Sequence, residues 1–559
     1  MFKYVYWILI TVTLSFQVQA QSDTASPEAL VRRLFLDLYN RLPSENEYLE
    51  SKEKIKNGKY NEVISTMLQT EEFNKVLAAK IIDHYQPDMQ QGFNFLYLPL
   101  QEHLVKNYTG IGKDFRKFLK DYLTAEGIQY SNPMTIFYAS EEKVPDMASR
   151  IAQRVVGLPL NCARCHDHKD YDKIKHEDFW EFASFFMTTN KQLIFQVRQV
   201  DYIEKKLTTE EDSFRKSIGD ENLNKIKRWI AAERKGENIY IQDVNKGLSG
   251  LASMVGGGMK KVNALDAAKM PQILVLENEI DMSRLRIKFK AEKEVKTAYA
   301  ALPTDTSKLK GTEKPRTVLA DWVISNRNPY TSKAVASWVT NWLLGHSFIT
   351  PLTDVYGGSG PRKNILDNCA NILKQKNWDL TKFIAAILVS DFYKLKSVDK
   401  NSPENFAYFK ERRYRHLTGE QILSSISFHT GSKVQNEAMS KIIAFKNQQE
   451  MVKLNEQLFP SSLDDEKISY SGTLGQTLFM SNNDKILNFI NSMARKGYHS
   501  KLSEEQWIQQ MIRSLFTREA TENEIKFFTE HVDKGKPYDD SNYFDALWAI
   551  VNSPEMRLY

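Results

Sequence analysis

Three cysteines in 559 residues rule out a disulfide scaffold, so the fold has to stand on ordinary hydrophobic packing. The length suits this, holding roughly three or four domains at about 150 residues each. Most of the packing pattern is helical. Ser26-Pro27-Glu28 supplies an N-cap, a first-turn proline and an acidic first turn, after which Leu30, Val31, Leu34, Phe35 and Leu38 fall on one face. Ser44 and Glu47 form a capping box for a second helix, and the two should pair as a hairpin. The periodicity runs to about Phe186. It resumes after Pro315 with Val318, Leu319, Trp322 and Val323, then Phe383, Ile384, Ile387 and Leu388. Cys369, inside the apolar-periodic run Ile365 to Leu373, reads as a small buried hydrophobe.

The middle of the chain differs. Gln272 to Leu276 and Arg284 to Lys290 read as strands, the second alternating basic and apolar side chains, so one face is buried and the other carries charge. That basic face is either a solvated outer edge that discourages pairing or an anion-binding surface. Gly256-Gly257-Gly258 and Leu302 to Pro315 look like loop and linker, and Gly357 to Lys363 like a surface loop, since it lacks the phosphate-loop spacing. The predicted fold is mainly α, with helical N-terminal and C-terminal domains and a small β-containing central region. The expected boundaries are a signal peptide at 1–20, a helical domain at 21–190, a mixed β region and linker at 191–314, and a second helical domain at 315–559.

Leu515-Phe516-Thr517-Arg518-Glu519-Ala520-Thr521-Glu522-Asn523-Glu524 echoes Leu38-Tyr39-Asn40-Arg41-Leu42-Pro43-Ser44-Glu45-Asn46-Glu47. Each copy carries a capping box and continues through Gly-Lys to an apolar helix near Glu72-Phe73 or Glu555-Met556. Two copies are too few for a solenoid, and either a duplicated packing unit or a shared helix-hairpin grammar accounts for them.

Met1 to Ala20 opens with Lys3, runs through apolar Val5 to Phe16 and closes on Val18-Gln19-Ala20, the pattern of a secretory signal peptide. Export would leave Gln21 first, and no later run is long and apolar enough to span a bilayer. The net charge of +6 becomes +5 once Lys3 is removed, and acidic residues nearly match basic ones, so there is no nucleic-acid footprint.

The remaining two cysteines fall in Cys162-Ala163-Arg164-Cys165-His166. Two thiols three positions apart, followed at once by an imidazole, match the spacing by which one porphyrin is held through its vinyl groups while histidine coordinates its iron. An exported compartment is where such attachment takes place. As the second reading, Cys162, Cys165, His168 and His176 offer two thiolates and two imidazoles at spacings zinc tolerates, and an oxidising compartment permits a Cys162–Cys165 disulfide. A sixth haem ligand is not singled out among Met147, Met187, His84 and His103. Asp167, Asp170, Asp172, Glu177 and Asp178 crowd the motif as helix caps or as partners for His166. No Ser-His-Asp order, nucleophile elbow or acid–base pair marks an enzyme.

Asn161 to Lys169, with Asp172, Asp178-Phe179-Trp180 and Ala183-Ser184-Phe185-Phe186, resembles the core of the Planctomycete-type cytochrome c domain family. Leu30 to Leu38 and Leu42-Pro43-Ser44 resemble that domain's opening. Arg316 to Trp322, Asn328-Pro329, Asn377-Trp378-Asp379-Leu380 and Ser390-Asp391-Phe392-Tyr393 resemble the companion PSD domain. The resemblance implies a haem c site with Cys162 and Cys165 as attachment points and His166 as proximal ligand, but no particular reaction, substrate or redox partner. Two departures stand out. Asn377 occupies a position where the family more often has glycine, and Ser337-Trp338 and Gly345-His346-Ser347 replace an Asn-Arg pair and a glycine-flanked turn. The alternative is a binding or assembly protein with a structural zinc site.

Overall fold

A computed structural model describes residues 24–85, 97–194, 272–398, 412–430, 474–531 and 541–559, less 130, 131, 142, 292, 293, 305–308, 346, 347, 350 and 358–362, together with scattered positions between 204 and 231. The expected signal peptide, the glycine triplet at 256–258 and His346 lie outside the described residues. The chain is mainly α with a small β region.

The N-terminal helices are α1 (Pro27–Leu38), α2 (Glu45–Lys56), α3 (Tyr60–Met67), α4 (Glu71–Tyr85), α5 (Tyr97–Asn107) and α6 (Phe115–Leu123). Ser26 Oγ accepts the Ala29 N–H at 3.2 Å and starts α1. In α2 the Ser44–Glu47 box closes in both directions, at 2.8 and 3.3 Å, and α1 and α2 pack as the expected hairpin. Helix α6 buries Phe115, Phe118, Leu119, Tyr122 and Leu123, a full stripe at helical spacing. Three short helices follow this set or lead into the motif: α7 (Ile136–Ser140), α8 (Val144–Arg150) and α9 (His176–Ala183).

A three-stranded antiparallel sheet has β3 (Gln272–Glu277) between β1 (Gly127–Ile128) and β2 (Thr189–Ile194), with Val275 opposite both Gly127 and Lys191. Beyond β4 (Ile280–Asp281), β5 (Arg286–Lys290) and β6 (Val295–Tyr299) form a hairpin, and β7 (Thr312–Glu313) returns to β4. The alternation along β5 works as its sequence implies. Ile287 and Phe289 are buried against Trp180 of α9, while Arg286, Lys288 and Lys290 face out.

The second half opens with α10 (Pro315–Val323), α11 (Thr331–Leu344), α12 (Lys363–Gln375), α13 (Leu380–Leu388) and α14 (Asp391–Lys394). Packing runs straight across the expected 314/315 boundary. One continuous core contains Val31 through Leu395, because Trp338 of α11 inserts among Tyr85, Phe115 and His84, stacking on the imidazole at 4.9 Å. Burying an aromatic of this size contributes about 2–3 kcal/mol. Arg316, at the start of α10, is wholly buried: it pairs with Glu277 of β3 at 3.3 Å and covers the Tyr138 ring at 4.1 Å.

A second core gathers α15 (Gly419–Thr430), α16 (Leu474–Asn482), α17 (Asp484–Tyr498), α18 (Glu504–Phe516), α19 (Glu522–His531) and α20 (Ser541–Asn552), with Leu36 and Leu42 contributed by the N-terminal hairpin. Helix α1 therefore serves both cores. No helix among the described residues is long and apolar enough to cross a membrane.

Candidate functional site

The motif sits on a short turn beyond helix α8. Helix α8 runs into one π-helical turn, Ile151–Val156, which ends at Gly157 with φ 79°. Glycine is required there, since a Cβ would lie 2.9 Å from Val355 and 3.0 Å from Ala334. A 3₁₀ turn follows over Leu160–Arg164, with Cys165 as its C-cap. Side chains three positions apart eclipse in such a turn. Leu160 and Ala163 accordingly point into the core, while Cys162 and Cys165 are both exposed and both free. Ser149 holds Asn161 at 3.0 Å and Asp146 holds Arg164 at 2.7 Å, tying the turn to α8.

His166 is exposed, with Nδ1 2.6 Å from the Asp167 carbonyl oxygen. A carbonyl only accepts, so Nδ1 carries a proton and donates it, leaving Nε2 as the ring nitrogen not used in that bond. The neighbouring carboxylates do not perform this task. The Asp167 carboxylate instead caps α9 by accepting the His176 N–H at 2.9 Å and faces Lys175 at 3.2 Å, and Asp178 accepts the Lys175 N–H at 2.7 Å.

The other two histidines of the segment are engaged elsewhere. His168 is buried, stacked on Tyr171 at 4.5 Å, and its Nδ1 accepts the Asp170 N–H at 3.1 Å. The Nε2 of His176 is enclosed between the Arg164 carbonyl at 3.0 Å and the Trp180 indole N–H at 2.9 Å. Among the described residues no group of three or more His, Cys, Asp or Glu side chains is arranged to hold a metal ion, so Cys162, Cys165, His168 and His176 are not brought together as a zinc quartet. The residues present do offer the donor set of a c-type haem: two free, exposed thiols three positions apart, followed by the exposed imidazole of His166.

The candidate sixth ligands are dispersed. His84 is part of the core, with Nε2 donating to the Arg154 carbonyl at 3.1 Å and its pKa pushed down to about 3 by burial. Met147 is buried on α8, Met187 is exposed beyond α9, and His103 is half-buried on α5.

Three residues of the site were not singled out by sequence. The Tyr171 hydroxyl donates to Asp354, which lies beyond α11, and burial together with that carboxylate pushes the phenol up. Asp354 also accepts the Gly357 N–H at 2.9 Å, and Tyr171 meets the Tyr356 ring edge-on at 5.6 Å. A Cβ on Gly357 would fall 2.0 Å from the Tyr171 ring, so this glycine marks a close approach between segments and not merely a loop. The C-x-x-C-H loop thus rests against the second half of the chain. The signal available in sequence was the glycine itself, whose partner lies far away in the chain.

Two family models match, in the order the resemblance implies. Residues 9–191 match PSCyt2, described as a protein of unknown function (DUF1549), and residues 315–467 match PSD1, described as a protein of unknown function (DUF1553). No curated protein and no solved structure matches the chain. The protein therefore carries a PSCyt2 domain followed by a PSD1 domain, both of unknown function.

Proposed function

We propose that this is an exported redox protein carrying one covalently attached haem c, with Cys162 and Cys165 as the thioether anchors and Nε2 of His166 as the proximal iron ligand. The observation that carries the reading is the 3₁₀ turn with two free, exposed thiols on its outer face, followed by an imidazole whose Nδ1–H is already spent on a backbone carbonyl. That hydrogen bond fixes ring and tautomer, which raises ligand basicity. A bound haem c supplies one-electron exchange at iron. The chain's own contribution is orientation: Leu160 and Ala163 anchor the turn, Asp146 and Ser149 brace it, and the Tyr171–Asp354 contact backs the loop. The redox partner is a second protein or small molecule reached outside the cytoplasm.

The test is expression of the mature chain with an exported-cytochrome maturation system, followed by the pyridine adduct spectrum and elemental analysis. One haem and one iron per chain, retained after acid-acetone extraction, is the expected result. Stoichiometric zinc without iron, or a colourless protein from a host that matures other c-type haem proteins, overturns the reading.

A further inference from the structure

The outer face of the β5–β6 hairpin carries a row of cations with no described carboxylate opposite it. Arg286, Lys288 and Lys290 stand at every second position of β5, and all three are exposed. At about 3.4 Å per residue they span about 14 Å of one sheet face. Their partners across the ladder on β6 are Tyr299, Thr297 and Val295 in turn, none of them acidic. Asp281 and Glu294, on either side of the row, are already paired, with Arg284 at 3.3 Å and Lys296 at 3.4 Å. Arg286 donates to the Tyr299 hydroxyl at 3.3 Å.

A guard against edge pairing needs charge alone. This face also exposes Val295 at 69% and Tyr299 at 51%, so it sets apolar and aromatic surface beside the cations, as a protein-binding patch does. The row also disfavours a second copy of the chain laying its own β5 alongside, since like charges would then face each other.

The buried face of the same hairpin is fixed to the segment that follows the two thiols. Phe289 stacks on Trp180 at 5.5 Å and meets the His176 ring edge-on at 4.8 Å. The Nε2 of His176 lies 3.0 Å from the carbonyl oxygen of Arg164, a residue between Cys162 and Cys165. A single imidazole thus links β5 to the C-x-x-C-H turn, and a protein seated on the hairpin is held close to it.

We infer that the Arg286, Lys288 and Lys290 face docks an acidic protein, the electron-exchange partner of the site proposed above. The partner's role rests on the haem reading; its charge rests on the hairpin alone. Attraction between the row and an acidic surface speeds encounter and fades as salt screens it, while Val295 and Tyr299 supply contact at short range.

The experiment measures binding of the mature chain to immobilised flavodoxin, an acidic one-electron carrier, by surface plasmon resonance. Affinity should fall steeply between about 20 and 150 mM ionic strength. The paired variant Lys288→Glu/Lys290→Glu should weaken binding about fivefold or more, with its circular dichroism spectrum unchanged. Lys75→Glu/Lys117→Glu, an equal change of charge at exposed sites on α4 and α6, should weaken it less than about twofold. Carbodiimide cross-linking should join flavodoxin carboxylates to Lys288 or Lys290. Equal losses in the two paired variants, cross-links confined to other lysines, or binding to polygalacturonate but not to flavodoxin overturns the inference. Cys162→Ser/Cys165→Ser, which cannot hold haem covalently, should bind flavodoxin as the wild type does. A colourless wild-type chain that still docks through the row therefore tells against the haem alone, and a haem-loaded chain that does not dock tells against the surface alone.

Discussion

Arg41 and Arg518 make the same bonds. Arg41 forks onto Glu47 at 2.8 and 2.9 Å, onto Glu72 at 2.6 and 3.0 Å, and donates to the carbonyl of the next residue, Leu42, at 3.1 Å. Arg518 forks onto Glu524 at 2.7 and 2.8 Å, onto Glu555 at 2.6 and 2.7 Å, and donates to the carbonyl of Glu519 at 3.0 Å. The residue before each has a left-handed backbone, Asn40 at φ 55° and Thr517 at φ 59°. Each guanidinium also covers the ring two positions back, Tyr39 at 5.4 Å and Phe516 at 5.2 Å. Agreement at this level exceeds a shared hairpin grammar and identifies one packing unit used twice. The two copies touch through Arg513 and Glu45 at 2.8 Å and through Lys52 and Glu519.

The bonds match, but their burial does not. The Arg41 side chain is 5% exposed and that of Arg518 is 28% exposed. With part of each carboxylate in solvent, Arg41→Met should cost about 2 kcal/mol and Arg518→Met about 1 kcal/mol. Urea unfolding of the two variants checks the order, and an equal or reversed pair of losses counts against it.

The proposed attachment through two thiols predicts a graded response. Cys162→Ser or Cys165→Ser should leave one thioether and shift the pyridine adduct's visible band to longer wavelength. The double variant should release all haem to acid acetone. Spectra of the three proteins, matured side by side, decide it.

Gly357→Ala should push the Tyr171 ring away from Asp354 and His168, since the new Cβ would lie 2.0 Å from that ring. A loss of about 2–3 kcal/mol is expected, against about 1–2 kcal/mol for Tyr171→Phe, which removes only the hydroxyl. In a Tyr171→Ala background the alanine should be nearly neutral. A double-mutant cycle by chemical denaturation measures that coupling.

His84 makes the fold acid-sensitive. Burial lowers its pKa to about 3, whereas in the unfolded chain it takes the ordinary value near 6.5. Between those values the unfolded state binds one more proton, so stability falls as pH drops from about 6.5 toward 3. His84 alone should remove about 2 kcal/mol by pH 5. His429, lowered by burial to about 4, acts in the same direction. The difference in stability between pH 7 and pH 5 should shrink by that amount in His84→Gln, measured by urea unfolding at both pH values.

Features set within a few residues were legible in the sequence. The Ser26 cap, the Ser44–Glu47 box, the alternation along β5 and the burial of Cys369 follow from local spacing and appear as expected. The thiol pair was legible for the same reason, because an i, i+3 relationship on a tight turn needs no distant partner. The departure at Asn377 resolves locally as well. Its φ is 55°, a left-handed conformation that asparagine tolerates almost as glycine does.

What only the tertiary structure decided depends on which distant segments meet. Nothing near His168 in sequence signals that it turns inward to stack on Tyr171, or that Asp354 and Gly357 back the loop. Nor does local pattern disclose that Arg32 and Arg33, adjacent on α1, reach the C-terminal residues and the Tyr393–Ser397 segment respectively. Capping and periodicity act along the chain, within a turn or two. Desolvation, close approach and the pairing of charge act through space, so the sequence by itself determined the helices and the thiol-bearing turn, and the packing of remote segments determined what surrounds them.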